Sequence, residues 1–194
     1  MTTIKNYTKS IFLLFVTAVI VQSCNIETTY ETVNVKNRFS IVLPSFLTKT
    51  NDLNDDATLQ YQNERREFYV AVIEESFDEV DMAIEQLKEE NLDFKNTLED
   101  YKKMSFDDYK SQLTNAEMYN TKDTIVNNMQ AITTHLRGRI NGVDIFYCLG
   151  LFKGKTGYYQ ATSWTLANNE GLYNDDMDKI IYSIKEIEET EVAE

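Results

Sequence analysis

One stretch limits the fold more than any other. From Val143 to Phe152 the chain reads Val-Asp-Ile-Phe-Tyr-Cys-Leu-Gly-Leu-Phe. As a strand it sends Val143, Ile145, Tyr147, Leu149 and Leu151 to one side and Phe146, Cys148 and Phe152 to the other. Both sides are apolar. Turn signals flank it: Asn141-Gly142 before and Gly154-Lys-Thr-Gly157 after. They fold residues 129–140 and 158–166 against it as an antiparallel meander. An antiparallel strand that is apolar on both faces has to be covered on both faces. The expected class is therefore α/β, an α/β/α sandwich with a mostly antiparallel sheet and helices on both sides.

The rest of the pattern supplies those layers. Phe39-Ser-Ile-Val-Leu-Pro44 reads as a short strand stopped by the only Pro, which cannot donate to a ladder. Residues 57–62 and 68–73 read as two strands joined by a turn at Asn63-Glu-Arg-Arg66. Ser76-x-x-Glu79 is a capping box, and Phe77, Val80, Ile84 and Leu87 follow on one helical face. Thr97-x-x-Asp100 and Ser105-x-x-Asp108 predict two shorter helices, with Leu98, Tyr101, Phe106, Tyr109 and Leu113 turned inward. A last helix is expected from about Asn174, with Met177, Ile180, Ile181, Ile184 and Ile187 on one stripe. Asp175, Asp176 and Asp178 would then lie at its positive end.

The N-terminus reads as an address. Lys5 and Lys9 precede the apolar run Ile11–Val21, which is the length of a secretory signal core and too short to span a bilayer. Val21-Gln22-Ser23-Cys24 resembles a bacterial lipobox. The resemblance implies cleavage after residue 23 and lipidation of Cys24, which would anchor the chain in the inner or outer membrane of the cell envelope. Loss of residues 1–23 removes two Lys and no acid, so the remaining chain is more acidic than the full one at −13. Anionic lipid repels such a body, so the acyl chains would have to hold it. Residues 24–36 are polar and Thr-rich and read as a lipidated tether. A single domain is expected over 37–188, with an acidic tail at 189–194.

The opening Phe39–Pro44, the late aromatic strand Tyr158-Tyr-Gln-Ala-Thr-Ser-Trp164-Thr165 and the helix Met177-x-x-Ile180-Ile181-x-Ser183-Ile184 together resemble the PsbP-like fold. That fold is shared by the photosystem extrinsic protein PsbP and the Mog family. The resemblance covers about residues 37–187, implies the same three-layer architecture, and carries no catalytic residues with it. A composition rich in Asn, Tyr and Lys also resembles that of Bacteroidota envelope proteins.

Several functions are excluded or weakened. With 32 acids against 19 bases, nucleic-acid binding lacks its clustered cations. One His excludes a multi-His metal site, and no metal or cofactor is expected. Gly150-Leu-Phe-Lys-Gly154-Lys-Thr156 is one residue short of a phosphate loop and leads from strand to strand. Asp52-Leu-Asn-Asp-Asp56 begins like a calcium loop but has Ala57 where Gly is needed and Asn63 where Glu is needed. Cys148 should be a small buried hydrophobe.

His135 shares a strand face with Arg137 and Arg139, which suits an anion or an acidic partner. Tyr158 and Trp164, with Tyr61, Tyr147 and Tyr159, suit an aromatic pocket. A hydrolase would need His135 to meet a hydroxyl and a carboxylate in space. The expectation is a non-enzymatic envelope lipoprotein that binds an envelope protein as an interaction, assembly or accessory module. The alternative is a carrier of lipid or glycan in an aromatic cleft.

Overall fold

In the computed structural model, residues 28–35, 38–89 and 92–187 are described. The expected signal peptide, Cys24 and the acidic tail lie outside them. In chain order the strands are β1 (Tyr30–Val35), β2 (Phe39–Pro44), β3 (Thr48–Lys49), β4 (Leu59–Asn63) and β5 (Phe68–Ser76). Then come α1 (Phe77–Glu89), α2 (Leu98–Gln112), β6 (Thr114–Val126), β7 (Met129–Ile140), β8 (Val143–Lys153), β9 (Gly157–Leu166), α3 (Glu170–Ser183) and β10 (Lys185–Glu186).

Strand β8 lies inside a seven-stranded antiparallel sheet of order β3-β4-β5-β9-β8-β7-β6. Its two apolar faces meet two separate cores. Phe146, Cys148 and Phe152 join Phe68, Val70, Val72, Tyr159 and Ala161 against β2 and α3. Leu149 and Leu151 join Ile132, Leu136 and Tyr158 against Val80 and Ile84 of α1 and Tyr101 and Phe106 of α2. Helices therefore cover both faces, and the fold is the expected α/β/α sandwich. Burying a side chain as large as Met177 or Ile180, each 0 % exposed, contributes about 1.5–3 kcal/mol.

Local chemistry explains the joints. Asn141 and Gly142 both have positive φ, 50° and 85°, as the tight β7–β8 turn requires. The capping box at the start of α1 is closed in both directions. Ser76 Oγ accepts from Glu79 N at 3.2 Å, and Glu79 Oε2 accepts from Ser76 N at 2.7 Å. At Gly150 α3 presses close on the sheet: a Cβ there would stand 2.7 Å from Ile181 Cγ2.

Three expectations need correction, and one strand carries no clear sequence signal. Residues 30–35 are not tether but β1, paired with β2 in a three-stranded sheet β1-β2-β10. Val33 and Val35 pack on the first core, and this alternation against Thr and Asn is the strand signal. Strand β6 shows no clear sequence signal because it is a polar edge strand, twice bulged near Asn115 and Asn120, whose φ values are 54° and 55°. The two helices expected at Thr97 and Ser105 are one, because Ser105 sits mid-helix and only Thr97 caps. Helix α3 begins at Glu170, so Asp175, Asp176 and Asp178 lie within it and not at its dipolar end. Among the described residues no helix is long and apolar enough to cross a membrane.

Candidate functional site

The sheet carries two distinct polar arrangements, one on each face. On the α3 face, strand register sets His135 of β7 opposite Cys148 of β8. Asp178, on the face of α3 that packs there, completes a cluster. His135 Nε2 lies 2.9 Å from Asp178 Oδ1, and the thiol also hydrogen-bonds to Asp178. The imidazole is held edge-on by Tyr119 and Phe146, with ring centroids 5.4 Å away in each case. Next along β7, Arg137 grips Glu170 with two bonds of 2.6 and 2.8 Å and lies 4.8 Å over the Tyr119 ring. Tyr119 donates to the same carboxylate at 2.9 Å. These bonds, the guanidinium's first, hold Glu170 below the usual carboxylate range. A cavity of about 210 Å³ opens beside His135, lined also by Lys122, Asn174, Asp178 and Tyr182.

Cysteine, histidine and aspartate together invite comparison with a nucleophilic triad. The geometry is against it. Cys148 is 1 % exposed. Burial, then the charge of Asp178, pushes its thiol far up from the ordinary value, so the sulfur stays protonated. The carboxylate binds both the thiol and the imidazole, where a triad would place the imidazole between the other two.

On the opposite face, α1 and α2 leave a cleft of about 690 Å³ over β5 and β9. Its floor and walls include Ile73, Val80, Ala83, Leu87 and Met104. Asp56, Glu74, Glu75, Glu79 and Asp108 also line it, and among the described residues no Lys or Arg does. Glu74 is taken up by Arg38 at 2.7 Å. Tyr101 donates to Glu75, and burial, followed by that neighbouring charge, raises the phenol well above its usual range. The volume lies in the range of small-ligand sites.

The residues singled out from sequence are divided among these places. His135 and Arg137 share the α3 face, and Arg137 is already paired. Arg139 is turned to Asp144 beside the β7–β8 turn, with two bonds of 2.7 Å. Tyr158 is fully buried on the other face, stacked on Tyr101 at 4.3 Å. Trp164 is half-buried in a stack with Tyr69 at 5.3 Å and Tyr147 at 6.4 Å. Tyr159 and Tyr61 belong to the first core. The five aromatics therefore do not form one pocket, because alternation along β9 sends Tyr158 and Tyr159 to opposite cores. The Gly150–Thr156 stretch makes the β8–β9 hairpin, as expected. The loop at Asp52–Asp56 is tied down by Gln60, whose side chain accepts from Leu53 N and Asn54 N at 2.8 and 3.0 Å. Cys148 is buried as expected; its meeting with His135 and Asp178, and the α1–α2 cleft, are not legible from neighbouring residues.

Three layers, a meander at the centre and a C-terminal helix closing one face define a PsbP-like sandwich. No family model and no curated protein sequence matches the chain. Solved structures match in fold. The solution structure of cyanobacterial PsbP (CyanoP) from Synechocystis sp. PCC 6803 is similar at a TM-score of 0.52 and 10 % identity, over 86 % of this chain and 98 % of that one. LpqN, involved in cell envelope biogenesis of Mycobacterium tuberculosis, is similar at 0.50 and 7 % identity, over 84 % and 92 %. These likenesses establish the fold.

Proposed function

We propose that this protein is a lipid-anchored envelope protein that acts as a non-enzymatic binding module. Its working surface is the α1–α2 cleft, and its occupant is a basic, partly apolar segment of another envelope protein. The observation that carries this reading is the cleft's charge: apolar at its floor, acidic at its rim, with no Lys or Arg lining it among the described residues. A cationic amphipathic segment complements both parts. The protonated, inaccessible Cys148 favours binding over catalysis. The lipobox-like Val21–Cys24 supports the anchor, and the envelope role of LpqN agrees with the location.

The test is crosslinking in living cells with the tagged full-length protein, beside two variants. One is Cys24→Ala. The other reverses the exposed rim as Asp56→Lys with Asp108→Lys. One stoichiometric envelope partner is expected, captured less without the anchor and about tenfold less with the reversed rim. Capture unchanged by rim reversal would refute the cleft as the working surface. Turnover of a substrate at an ordinary enzymatic rate of about 1–10³ s⁻¹ would refute the non-enzymatic reading. A second reading, a small apolar or glycan ligand in the same cleft, rests on its volume. It gains if no protein is captured while the folded chain remains on the membrane.

A further inference from the structure

We propose that His135, Cys148 and Asp178 form a site for one divalent cation of the Zn²⁺ class, held between β7, β8 and α3. The site is on the opposite sheet face from the cleft and does not depend on what the cleft binds.

The argument begins with placement. The donor atoms of the three side chains lie within 4.8 Å of one another. A tetrahedral zinc ion with bonds of about 2.0–2.3 Å spaces its donors about 3.3–3.7 Å apart. The 2.9 Å between His135 Nε2 and Asp178 Oδ1 would therefore open by about half an ångström. Imidazole, thiolate and carboxylate together favour zinc-like ions over magnesium or calcium, which take oxygen.

A fourth donor is at hand. Asn174 Oδ1 is buried and has no hydrogen-bond partner. It lines the same cavity as His135 and Asp178, one helical turn before Asp178 on α3. A water in that cavity of about 210 Å³ could serve instead. Outer support is also in place: Tyr119 and Phe146 clamp the imidazole, and Asn120, 3.4 Å from Nδ1, would turn its amide to offer Oδ1 to the Nδ1–H of a metal-bound ring. Lys122, the only ammonium lining the cavity among the described residues, is exposed and free to turn to solvent. A buried thiol is ordinary in a structural metal site, which closes around its ion. On binding, the thiol proton leaves to solvent and a sulfur–metal bond replaces the S–H bond.

The full-length protein in detergent, stripped with chelator, would be titrated with Co²⁺ alone and then with Zn²⁺. One equivalent of cobalt should bind with a sulfur-to-cobalt charge-transfer band that zinc abolishes. Cys24→Ser should keep the band and Cys148→Ser should lose it. His135→Gln and Asp178→Asn should each weaken cobalt binding about tenfold or more, with circular dichroism unchanged. A wild-type protein without the band, or a band that survives Cys148→Ser, overturns the proposal. Should Cys148→Ser not fold, unaltered affinity in both other variants overturns it equally. Rim reversal at Asp56 and Asp108 should leave metal binding intact, so this test fails or succeeds apart from that of the cleft.

Discussion

Replacing Gly150 by Ala tests how tightly α3 is seated on the sheet. In a strand interior, exchanging Gly for Ala normally gains about 0.5–1 kcal/mol by restricting the unfolded chain. Here the new methyl has no room. It would stand 2.5 and 2.6 Å from Cζ and Cε2 of Phe152 and 2.7 Å from Cγ2 of Ile181. Ordinary contact needs about 3.4–4 Å, so ring and helix must each retreat by close to an ångström. Neither has slack, since Phe152 is 0 % and Ile181 1 % exposed. Overpacking of this kind costs about 1–3 kcal/mol. Set against the backbone gain, a net loss of about 1–2 kcal/mol is expected. For a domain of this size that is a fall of about 2–8 °C in the unfolding midpoint. Thermal unfolding by circular dichroism reads it directly. The cause can be isolated by adding Ile181→Ala, which alone should cost about 2–5 kcal/mol and should cost less once Gly150 is Ala. A Gly150→Ala protein as stable as the parent, or more so, would refute the close seating of α3.

Two further outcomes follow from the same contacts. Glu170 is held low by Arg137, so its contribution to stability is present above about pH 4.5 and is lost as pH falls through the lower folded value. Glu170→Gln should therefore be about 0.5–1.5 kcal/mol less stable than the parent in urea at neutral pH, with the gap closing as pH falls through Glu170's lowered folded value; a gap that does not close contradicts the pairing. In a Cys24→Ser background, Cys148 should resist thiol reagents in the native state and react only at the rate of unfolding, because its sulfur is buried and protonated. Rapid native labelling would show the buried thiol to be wrong.

What could be read from the residues depended on how local the signal was. The Asn141-Gly142 turn, the Ser76–Glu79 cap and the two apolar faces of β8 are all written within a few neighbouring positions, and each formed as expected. Strand β1 was missed because Val33 and Val35 sit among Thr and Asn that face solvent, so its strand character depends on β2 being beside it. Ser105-x-x-Asp108 has the letters of a cap, but packing of Tyr101 and Phe106 on one core keeps the helix running through it. The polar cluster was the least legible. His135, Cys148 and Asp178 stand thirteen and thirty positions apart, on two strands and a helix. Only the β7–β8 register and the docking of α3 bring them together. Tyr158 and Trp164 were paired by composition, but one is core and the other lies in a partly open stack.

If Cys24 carries the proposed lipid, β1 at Tyr30 leaves it a shorter leash than a tether over residues 24–36 would. Five residues separate Cys24 from the folded body, where the expected tether had about a dozen. Fully stretched, five residues reach about 18 Å, against about 45 Å for the longer one. With a lipid on Cys24, as proposed, β1 would be held within about that shorter distance of the bilayer. The domain could patrol the membrane surface in two dimensions but could not cross the compartment. Partners would have to be membrane neighbours.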